Sequence, residues 1–407
     1  MWPNCWLETA QLRKALATVG ALVLASCATP QTELATAAAH PDVLCWDERM
    51  MVDVGFSSAG QHKCTLDESG LITLTIAPES PPPINCSAWY AFRITPRRPG
   101  PVQVKLDYEA CRHRYAPKLS KDYTAWMRLA DANARTDDSG RSALLTVNLE
   151  DMPLFVAGQE IFPAGTYDLW IDRLSRMPDV TRFDAGKSVE GRTIEGLLIG
   201  NPDADRIVAL IGRQHPPEVT GALAMFPFVE TLASDHRLAM KYRQNVLTVV
   251  VPIINPDGVE NGHWRHNMRD TDLNRDWGPF RQPETQAMRD LLTDLTARQG
   301  KELQLLIDFH STGRDVFYTL PEELETDPPR FTQRWLDRLE ERLPQFTVHR
   351  DPGHNPGLPV SKAYAYETFG IPAVTFEIGD ETDRTMIVKA GQQAALAMTE
   401  ISLGEIE

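Results

Sequence analysis

Four short apolar runs in the second half of the chain are rich in Val, Ile and Leu and lack polar alternation. They are RIVALIG (206–212), VLTVVVPII (246–254), LQLLIDF (303–309) and PAVTFEI (372–378). Continuous apolar runs of this length are typical of strands buried on both faces of a sheet. Stretches with helical spacing lie around them, at 162–177, 218–234, 283–299 and 385–401. This alternation predicts an α/β domain over 159–407, with a mainly parallel mixed sheet covered by helices on both faces.

Before residue 159 the pattern is different. Short runs in which apolar and polar residues alternate follow one another, among them LITLTIA (71–77), AWYAFRI (88–94), VQVKLDY (102–108) and ALLTVNL (143–149). Pro, Gly and Ser clusters separate these runs, as in all-β proteins with several short strands. We therefore predict a small β-sandwich domain over 44–158. A chain of 407 residues is long enough for both domains.

The amino-terminal residues have the pattern of an export signal. Arg13 and Lys14 precede an uncharged run of eleven residues, ALATVGALVLA (15–25). A run of this length is too short to span a bilayer and suits the core of a signal peptide.

The end of this run indicates where the mature chain begins. The tetrapeptide LASC (24–27) resembles the lipobox of bacterial lipoproteins, in which the cysteine carries the lipid. We therefore predict a signal peptide over 1–26, lipid attachment at Cys27 and a Pro/Ala-rich tether over 27–43. The protein would be exported and anchored to a bacterial membrane, facing the periplasm or the cell exterior. The alternative is an ordinary secretory signal followed by a chance cysteine.

The cysteines agree with export. The chain has six, and those outside the signal and the lipid site are Cys45, Cys64, Cys86 and Cys111. Four cysteines close together in an exported chain indicate two disulfides, with three possible pairings. The pairing Cys45–Cys64 with Cys86–Cys111 closes the shortest loops and is the one that we favour. Residues 112–407 contain no cysteine, which excludes thiol catalysis in the α/β domain.

The charge of the chain excludes one class of partner. The formal net charge is −15, from 41 basic and 56 acidic residues. Such a chain lacks the basic surface that neutralises phosphates, so a nucleic-acid partner is not expected.

Polar residues collect where the four apolar runs end. His215 and Glu218 follow the first run, His310 follows the third, and Glu377 lies near the end of the fourth. Because sites in such sheets lie at the carboxyl ends of strands, we expect these side chains to share one rim. Pro216 and Pro217 suit the first turn of a helix, so that His215 and Glu218, three apart, would lie on one helix face.

Two imidazoles and a carboxylate are a ligand set for one catalytic Zn²⁺ per chain, with an open position for water. His215, Glu218 and His310 are the predicted ligands. Glu377 is then the candidate general base, because the metal lowers the pKa of the bound water toward 7. Asp272 could accept the second ring N–H of a ligand histidine and fix its tautomer.

Six short motifs appear in one order: HPPE, NPDG, WR, DLNRDW, DFHS and TFE. In this set and order the chain, over 162–407, resembles the zinc carboxypeptidases of the carboxypeptidase A superfamily. The resemblance implies the same zinc ligands and catalytic Glu377, and adds Arg265 as the arginine that polarises the scissile carbonyl. It implies that Asn274 and Arg275 hold the terminal carboxylate of a peptide substrate. With a β-sandwich before the catalytic domain, the chain is more similar to the cytosolic-carboxypeptidase-like branch.

The chain differs from the family at one expected position, and the resemblance predicts one further site residue. Enzymes of this family carry a tyrosine about twenty residues before the catalytic glutamate, and the segment HRDPGHNPGLPVSK (349–362) has none; Tyr364 and Tyr366 are the possible substitutes. The residue that lines the pocket for the terminal side chain comes some fifteen positions before that glutamate, which is Lys362 here (377 − 362 = 15). A lysine there would favour an acidic terminal residue.

Three alternatives to a carboxypeptidase remain open at this point. An N-acyl amino acid deacylase of the aspartoacylase or desuccinylase type shares H-x-x-E and an Asn-Arg pair, and a murein-peptide amidase could use the same zinc site. NPDG with a separate WR favours the peptidase. The third alternative is a non-catalytic binding protein on this fold, which the filled ligand and base positions disfavour.

The lipid site is directly testable. Cys27→Ser should move the protein from the membrane fraction to the soluble periplasm, because the substituted side chain cannot carry the thioether-linked lipid. The measurement is immunoblotting of fractionated cells, with wild type as reference. A variant that still sediments with membranes would show that something other than lipid on Cys27 holds the protein there.

Overall fold

The computed structural model describes residues 42–80, 86–297, 300–355 and 357–404. The predicted signal peptide, Cys27 and nearly all of the predicted tether lie outside these residues. Val43, the last residue of that tether, begins the first strand. Within the described part, no helix is both long enough and apolar enough to cross a bilayer.

The amino-terminal part is a sandwich of two sheets. Its strands are β1 (Val43–Trp46), β2 (Met50–Asp53), β3 (His62–Leu66), β4 (Ile72–Ile76), β5 (Ala91–Pro96), β6 (Gly100–Tyr108), β7 (Lys118–Ser120), β8 (Met127–Arg128), β9 (Ala134–Thr136), β10 (Ser142–Leu149) and β11 (Leu154–Ala157). One sheet has the order β1-β2-β5-β11-β7-β8, and the other has β3-β4-β6-β10-β9. Alternate residues of β6 and β10 point inward, because the period of a strand is two.

Two disulfides lie in this domain. Cys45 pairs with Cys64 at a Cα–Cα distance of 5.6 Å, and Cys86 pairs with Cys111 at 4.9 Å. The first bond joins β1 of one sheet to β3 of the other. Covalent links of this kind stabilise a small domain mainly by restricting its unfolded chain.

Among its described residues, the second part contains one eight-stranded sheet and eight α-helices. Its strands are β12 (Val180–Lys187), β13 (Thr193–Gly200), β14 (Arg206–Gly212), β15 (Val246–Val251), β16 (Glu302–Thr312), β17 (Val316–Tyr318), β18 (Arg350–Asp351) and β19 (Ala373–Gly379). Their order is β12-β13-β15-β14-β16-β19-β17-β18. The four central strands are parallel, and antiparallel pairs flank them.

Helices cover both faces of this sheet. They are α1 (Ala164–Leu174), α2 (Val219–Ala233), α3 (Arg237–Asn245), α4 (Pro256–Glu260), α5 (Pro283–Thr296), α6 (Phe331–Arg342), α7 (Ser361–Phe369) and α8 (Arg384–Ser402). Val208 and Leu210 of β14 pack with α2 and α8, whereas Ile207 and Ala209 pack toward α5 and α7. The predicted α/β fold after a β-rich domain is thus confirmed.

The close packing of α2 on β16 sets the position of one candidate ligand. A Cβ on Gly221 of α2 would lie 2.5 Å from the backbone oxygen of His310. Because no real Cβ comes that close, only glycine lets the helix approach the strand at this point. The residues before α2 therefore meet the end of β16.

Candidate active site

His215 and Glu218 lie in a turn and not on a helix face. Helix α2 begins at Val219, and Glu218 is the residue that precedes its first turn. The Glu218 N–H donates to the His215 carbonyl at 3.4 Å. The expectation that the two share a helix face is wrong, because the helix starts one residue after Glu218. The turn containing Pro216 and Pro217 brings the two side chains together instead.

The three predicted zinc ligands converge on one point. The Nδ1 of His215 lies 2.8 Å from Glu218 Oε1, and the Nδ1 of His310 lies 2.6 Å from Glu218 Oε2. One candidate ligand atom from each residue lies within 4.8 Å of the other two. Both histidines are buried, at 3% and 1% exposure. The geometry brings together three groups that could hold one metal ion.

The far nitrogen of each ring has a carboxylate partner. His215 Nε2 is 2.9 Å from Asp272 Oδ1, and His310 Nε2 is 2.9 Å from Asp308 Oδ2. A ring N–H donated to a carboxylate leaves Nδ1 as a lone-pair acceptor. With these tautomers, which follow from the hydrogen-bond network, two lone pairs and the Glu218 carboxylate face one another, so that a positive charge, either an added proton or a metal ion, is needed between them. A cation satisfies such a set.

The electrostatics of the cluster favour positive charge. Burial lowers the pKa of His310, but Asp308 and Glu218 raise it by more, so that the net shift is well upward. Burial raises the pKa of Glu218, but the charges and hydrogen bonds of His215 and His310 lower it by a larger amount, so that the net shift is downward. Three nitrogen and oxygen donors of this kind fit Zn²⁺ and leave a coordination position for water.

Glu377 lies beside the cluster. It is directly opposite His310 in the pairing of β16 with β19. Its Oε2 is buried without a hydrogen-bond partner among the described residues. Burial, and next the charge of Glu218, raise the pKa of Glu377 to about 8, while His310 acts in the opposite direction. A carboxylate with raised basicity and an unpartnered oxygen is suited to accept a proton.

Asp272 joins one candidate metal ligand, His215, to Arg265. One carboxylate oxygen of Asp272 contacts His215, and the other accepts from Arg265 Nε at 2.7 Å. Burial raises the pKa of Asp272, but His215, Arg265 and Arg275 lower it by more, so the carboxylate stays ionised. The predicted contact between Asp272 and a ligand histidine is present, and the same carboxylate also orients the arginine.

Asn274 and Arg275 follow Asp272 in a one-turn helix, Leu273–Arg275. Asn274 Oδ1 accepts from the Ser361 N–H at 3.0 Å, which ties this side chain into the scaffold. Arg275 Nη1 donates to the Asn274 carbonyl at 2.7 Å. The rest of the Arg275 guanidinium has no partner among the described residues, so it is free for an incoming carboxylate.

Lys362 is buried, with 5% of its surface exposed, in the first turn of α7. Its Nζ donates to the Thr319 carbonyl at 2.8 Å and to the His354 carbonyl at 3.4 Å. Burial lowers the pKa of Lys362 to about 8, and Asp351 partly opposes this shift. The preceding residue, Ser361, contacts both Asn274 and Asp308, so Lys362 lies one residue from the scaffold of the site.

The two tyrosines considered as substitutes have different surroundings. The Tyr364 ring packs edge-on against Phe280 at 5.0 Å, on the α5 and α7 face of the sheet. Tyr366 lies on the same helix and is half-buried. Next to Lys362 the structure places another pair, Tyr318 and His354, whose rings stack at 3.6 Å. His354 belongs to the segment that lacks the expected tyrosine (377 − 354 = 23).

Two residues of the site were missed in the sequence. Asp308 could have been found, because residues two apart on a strand share a face and Asp308 stands two before His310. Arg114 had no such signal. It belongs to the sandwich and donates from Nε to Asp380 Oδ2 at 2.7 Å, a partner 266 residues away. Its charge acts to lower the pKa of Glu377, which links it to the site.

Comparisons with known proteins agree with this geometry. The sequence matches the profile of the zinc carboxypeptidase family, Peptidase_M14, over residues 167–399. Cytosolic carboxypeptidase 6 of Homo sapiens is 29% identical over 139 residues, which are 32% of this chain and 28% of that protein. Cytosolic carboxypeptidase 6 of Caenorhabditis elegans is 26% identical over 193 residues, 43% of this chain and 41% of that protein. The matches thus span less than half of the length of these curated relatives.

Solved structures show the same fold. A metallo-carboxypeptidase from Burkholderia cenocepacia superposes with a TM-score of 0.74 at 19% identity, covering 88% of this chain and 100% of that one. A metallo-carboxypeptidase from Pseudomonas aeruginosa in complex with (2-guanidinoethylmercapto)succinic acid has a TM-score of 0.69 at 20% identity, covering 87% and 99%. These coverages include the sandwich as well as the α/β domain.

The chain therefore has the fold and the His-Glu-His cluster of a metallo-carboxypeptidase. Because the family profile spans 233 of 407 residues (399 − 167 + 1), the chain belongs to the zinc carboxypeptidase family. The predicted family is confirmed. The lipoprotein signal stays a prediction.

Replacing one ligand tests the metal site. His310→Ala should weaken zinc binding by at least ~10²-fold, and Asp308→Asn by ~10–100-fold, because the first removes a ligand and the second only its hydrogen-bond partner. Zinc content after dialysis against graded chelator measures both. His349→Ala, at an exposed histidine, is the control. Stoichiometric zinc in His310→Ala at wild-type affinity would show that the third ligand is another residue.

Proposed function

We propose that this chain is a zinc-dependent metallocarboxypeptidase that releases C-terminal residues from peptides. The observation that carries the proposal is the convergence of His215, Glu218 and His310 beside the unpartnered carboxylate oxygen of Glu377. A metal-binding cluster beside a basic carboxylate is the arrangement that hydrolysis by activated water requires. Membership of the zinc carboxypeptidase family supports peptides as the substrate class.

Substrate binding follows from the two arginines. The unpartnered part of the Arg275 guanidinium receives the terminal carboxylate of the peptide, since a planar guanidinium matches a carboxylate with two parallel hydrogen bonds. Arg265 is held by Asp272 through Nε, so its terminal nitrogens remain for the carbonyl oxygen of the bond to be broken. The negative charge that develops on that oxygen is stabilised by this guanidinium.

Proton transfer is assigned to Glu377. Zinc, when bound, supplies Lewis-acid polarisation of the attacking water and of the carbonyl. Glu377 accepts the proton of that water and returns it to the nitrogen of the leaving amine, as a general base and then a general acid. Its burial keeps bulk water from competing for the proton. No observation favours the deacylase or the murein-peptide amidase over the peptidase.

Glu377→Gln tests this assignment. The variant should bind zinc and fold as wild type does, but release of the terminal residue should fall by ~10²–10⁴-fold, because the amide keeps the shape and cannot take the proton. The assay is mass spectrometry of a peptide library, with zinc content measured in parallel. Glu323→Gln, at an exposed position, should leave turnover unchanged. Near-normal turnover in Glu377→Gln would rule out Glu377 as the base.

We further propose that Lys362 selects an acidic terminal side chain. The support is its burial beside the scaffold that carries Asn274, with two of three ammonium donors used by carbonyls. A buried cation with one donor unused attracts a carboxylate and repels Lys or Arg. The pKa of Lys362 is lowered by burial to about 8, so the amine is mostly charged at pH 7, and a carboxylate partner would raise this pKa back toward its usual value.

The proposed preference can be measured with peptides ending in Glu, Leu and Lys. Wild type should prefer Glu at pH 7, and the preference should fade as the pH rises through about 8 because Lys362 then loses its proton. Lys362→Ala should lower the Glu-to-Leu ratio of kcat/KM by ~10-fold or more, equivalent to about 1.4 kcal/mol. Lys389→Ala, at an exposed helix position, is the matched control. A wild type that prefers Leu or Lys would contradict the idea.

Export and lipid anchoring are also part of the proposal. Export is supported by the two disulfides of the sandwich, because such bonds persist in oxidising compartments. Lipid anchoring rests on the tetrapeptide LASC (24–27) alone. Fractionation of the Cys27→Ser variant, described above, is the test.

A further inference from the structure

Glu79 of the sandwich reaches into the loop that carries Arg265. It lies shortly after β4, and its side chain is only 9% exposed. One carboxylate oxygen accepts from the Arg265 N–H at 2.7 Å and from the His266 N–H at 2.9 Å, and the other accepts from the Trp264 N–H. Glu79 and Trp264 are separated by 185 residues.

Three consecutive backbone N–H groups, those of residues 264–266, donate to the Glu79 carboxylate and so fix the backbone conformation of this loop. Such a concave run of N–H groups is an anion-binding site, and here the anion is a side chain of the other domain. The His266 ring adds a fourth contact, with Nδ1 3.0 Å from the same carboxylate. Burial raises the pKa of Glu79, but the His266 ring and the backbone N–H groups lower it by more, so that the carboxylate stays ionised.

The neighbours of Arg265 are held by the sandwich as well. The Trp264 ring packs at 5.8 Å against Tyr115, and the Arg114 guanidinium lies 5.1 Å from its centre. Gly262 has a φ of +63°, and a Cβ there would lie 2.0 Å from the Ala59 carbonyl oxygen. The sandwich backbone therefore packs so closely against this loop that only glycine fits.

The two sides of the loop have different partners. Trp264 packs against the sandwich core, whereas the Arg265 side chain is bound to Asp272, the partner of His215. The backbone N–H groups of residues 264, 265 and 266 all donate to Glu79. The direction in which Arg265 leaves the backbone is thus determined by a residue of the other domain.

We propose that Glu79 is a positioning residue for Arg265, so that the β-sandwich forms part of the active site and is not only its neighbour. The proposal rests on the proposed function for the role of Arg265. Because Arg265 acts on charge that develops in the transition state, a loosened loop should change kcat more than KM. A misplacement of about 1 Å at such a group can cost ~10²-fold in rate.

Glu79→Gln, with Glu68→Gln as control, tests the proposal. Glu68 is an exposed glutamate of the same domain. In Glu79→Gln, the amides of residues 264–266 should exchange with solvent at least ~10-fold faster, because an amide group cannot accept from all three N–H groups and lacks the charge. kcat should fall by ~10–100-fold with KM changed by less than ~3-fold, zinc content should be unchanged, and the control should match wild type throughout.

A double-mutant cycle separates positioning from a general loss of structure. In an Arg265→Ala background, Glu79→Gln should lower kcat by less than ~3-fold, because the group that it positions is already absent. Equal losses in both backgrounds would overturn the proposal, as would unchanged amide exchange in Glu79→Gln. If Glu79→Gln fails to fold, Glu79→Asp, which keeps the charge and shortens the reach, carries the same measurements. A wild type without peptidase activity, but with faster exchange in the variant, would overturn the proposed function and leave the contact of Glu79 with the loop intact.

Discussion

Two imidazole rings and one carboxylate meet in the α/β domain, and most other features of the site follow from this meeting. Two imidazole nitrogens and the Glu218 carboxylate are stable at such short distances only around a positive charge. The requirement explains why each ring has a carboxylate behind it, since Asp272 and Asp308 fix the tautomer that exposes the lone pair. It also explains the position of Glu377, whose proton affinity is set partly by the charge of Glu218.

The parts of this arrangement that could be predicted from the sequence are those that depend on the pattern of apolar and polar residues within one short segment. The strand β14 has the bounds that its apolar run indicated, 206–212, and the ligands follow strand ends as the topology of such sheets demands. The start of α2 was placed too early, because Pro217 and Glu218 suit both a first turn and the turn that precedes a helix. The antiparallel hairpin of β12 and β13 was also missed, since its outer strand is largely exposed and carries little apolar signal.

The parts that could not be predicted depend on contacts between distant segments. No local pattern distinguishes the buried Lys362 from an exposed loop lysine, because its burial arises from the chain around Thr319 and His354. The same holds for Arg114 and for Glu79, whose partners are 266 and 185 residues away. Glu79 stands before a proline-rich run, where an acidic residue would ordinarily be assigned to a solvated loop.

The contact of Glu79 with three backbone N–H groups has a consequence for how such a protein can evolve. Three of the four contacts of Glu79 are to main chain, and only the His266 ring adds a side-chain partner, so many substitutions at 264 and 265 would preserve those three contacts. Covariation between the two segments would therefore be weak, although they are mechanically linked. With Glu79 as a positioning residue, exchange of the sandwich alone by recombination would impair the enzyme, because a foreign sandwich without an acidic residue at this place would leave the loop of Arg265 without its carboxylate partner. The domain boundary in the fold is thus not a boundary between independently heritable parts.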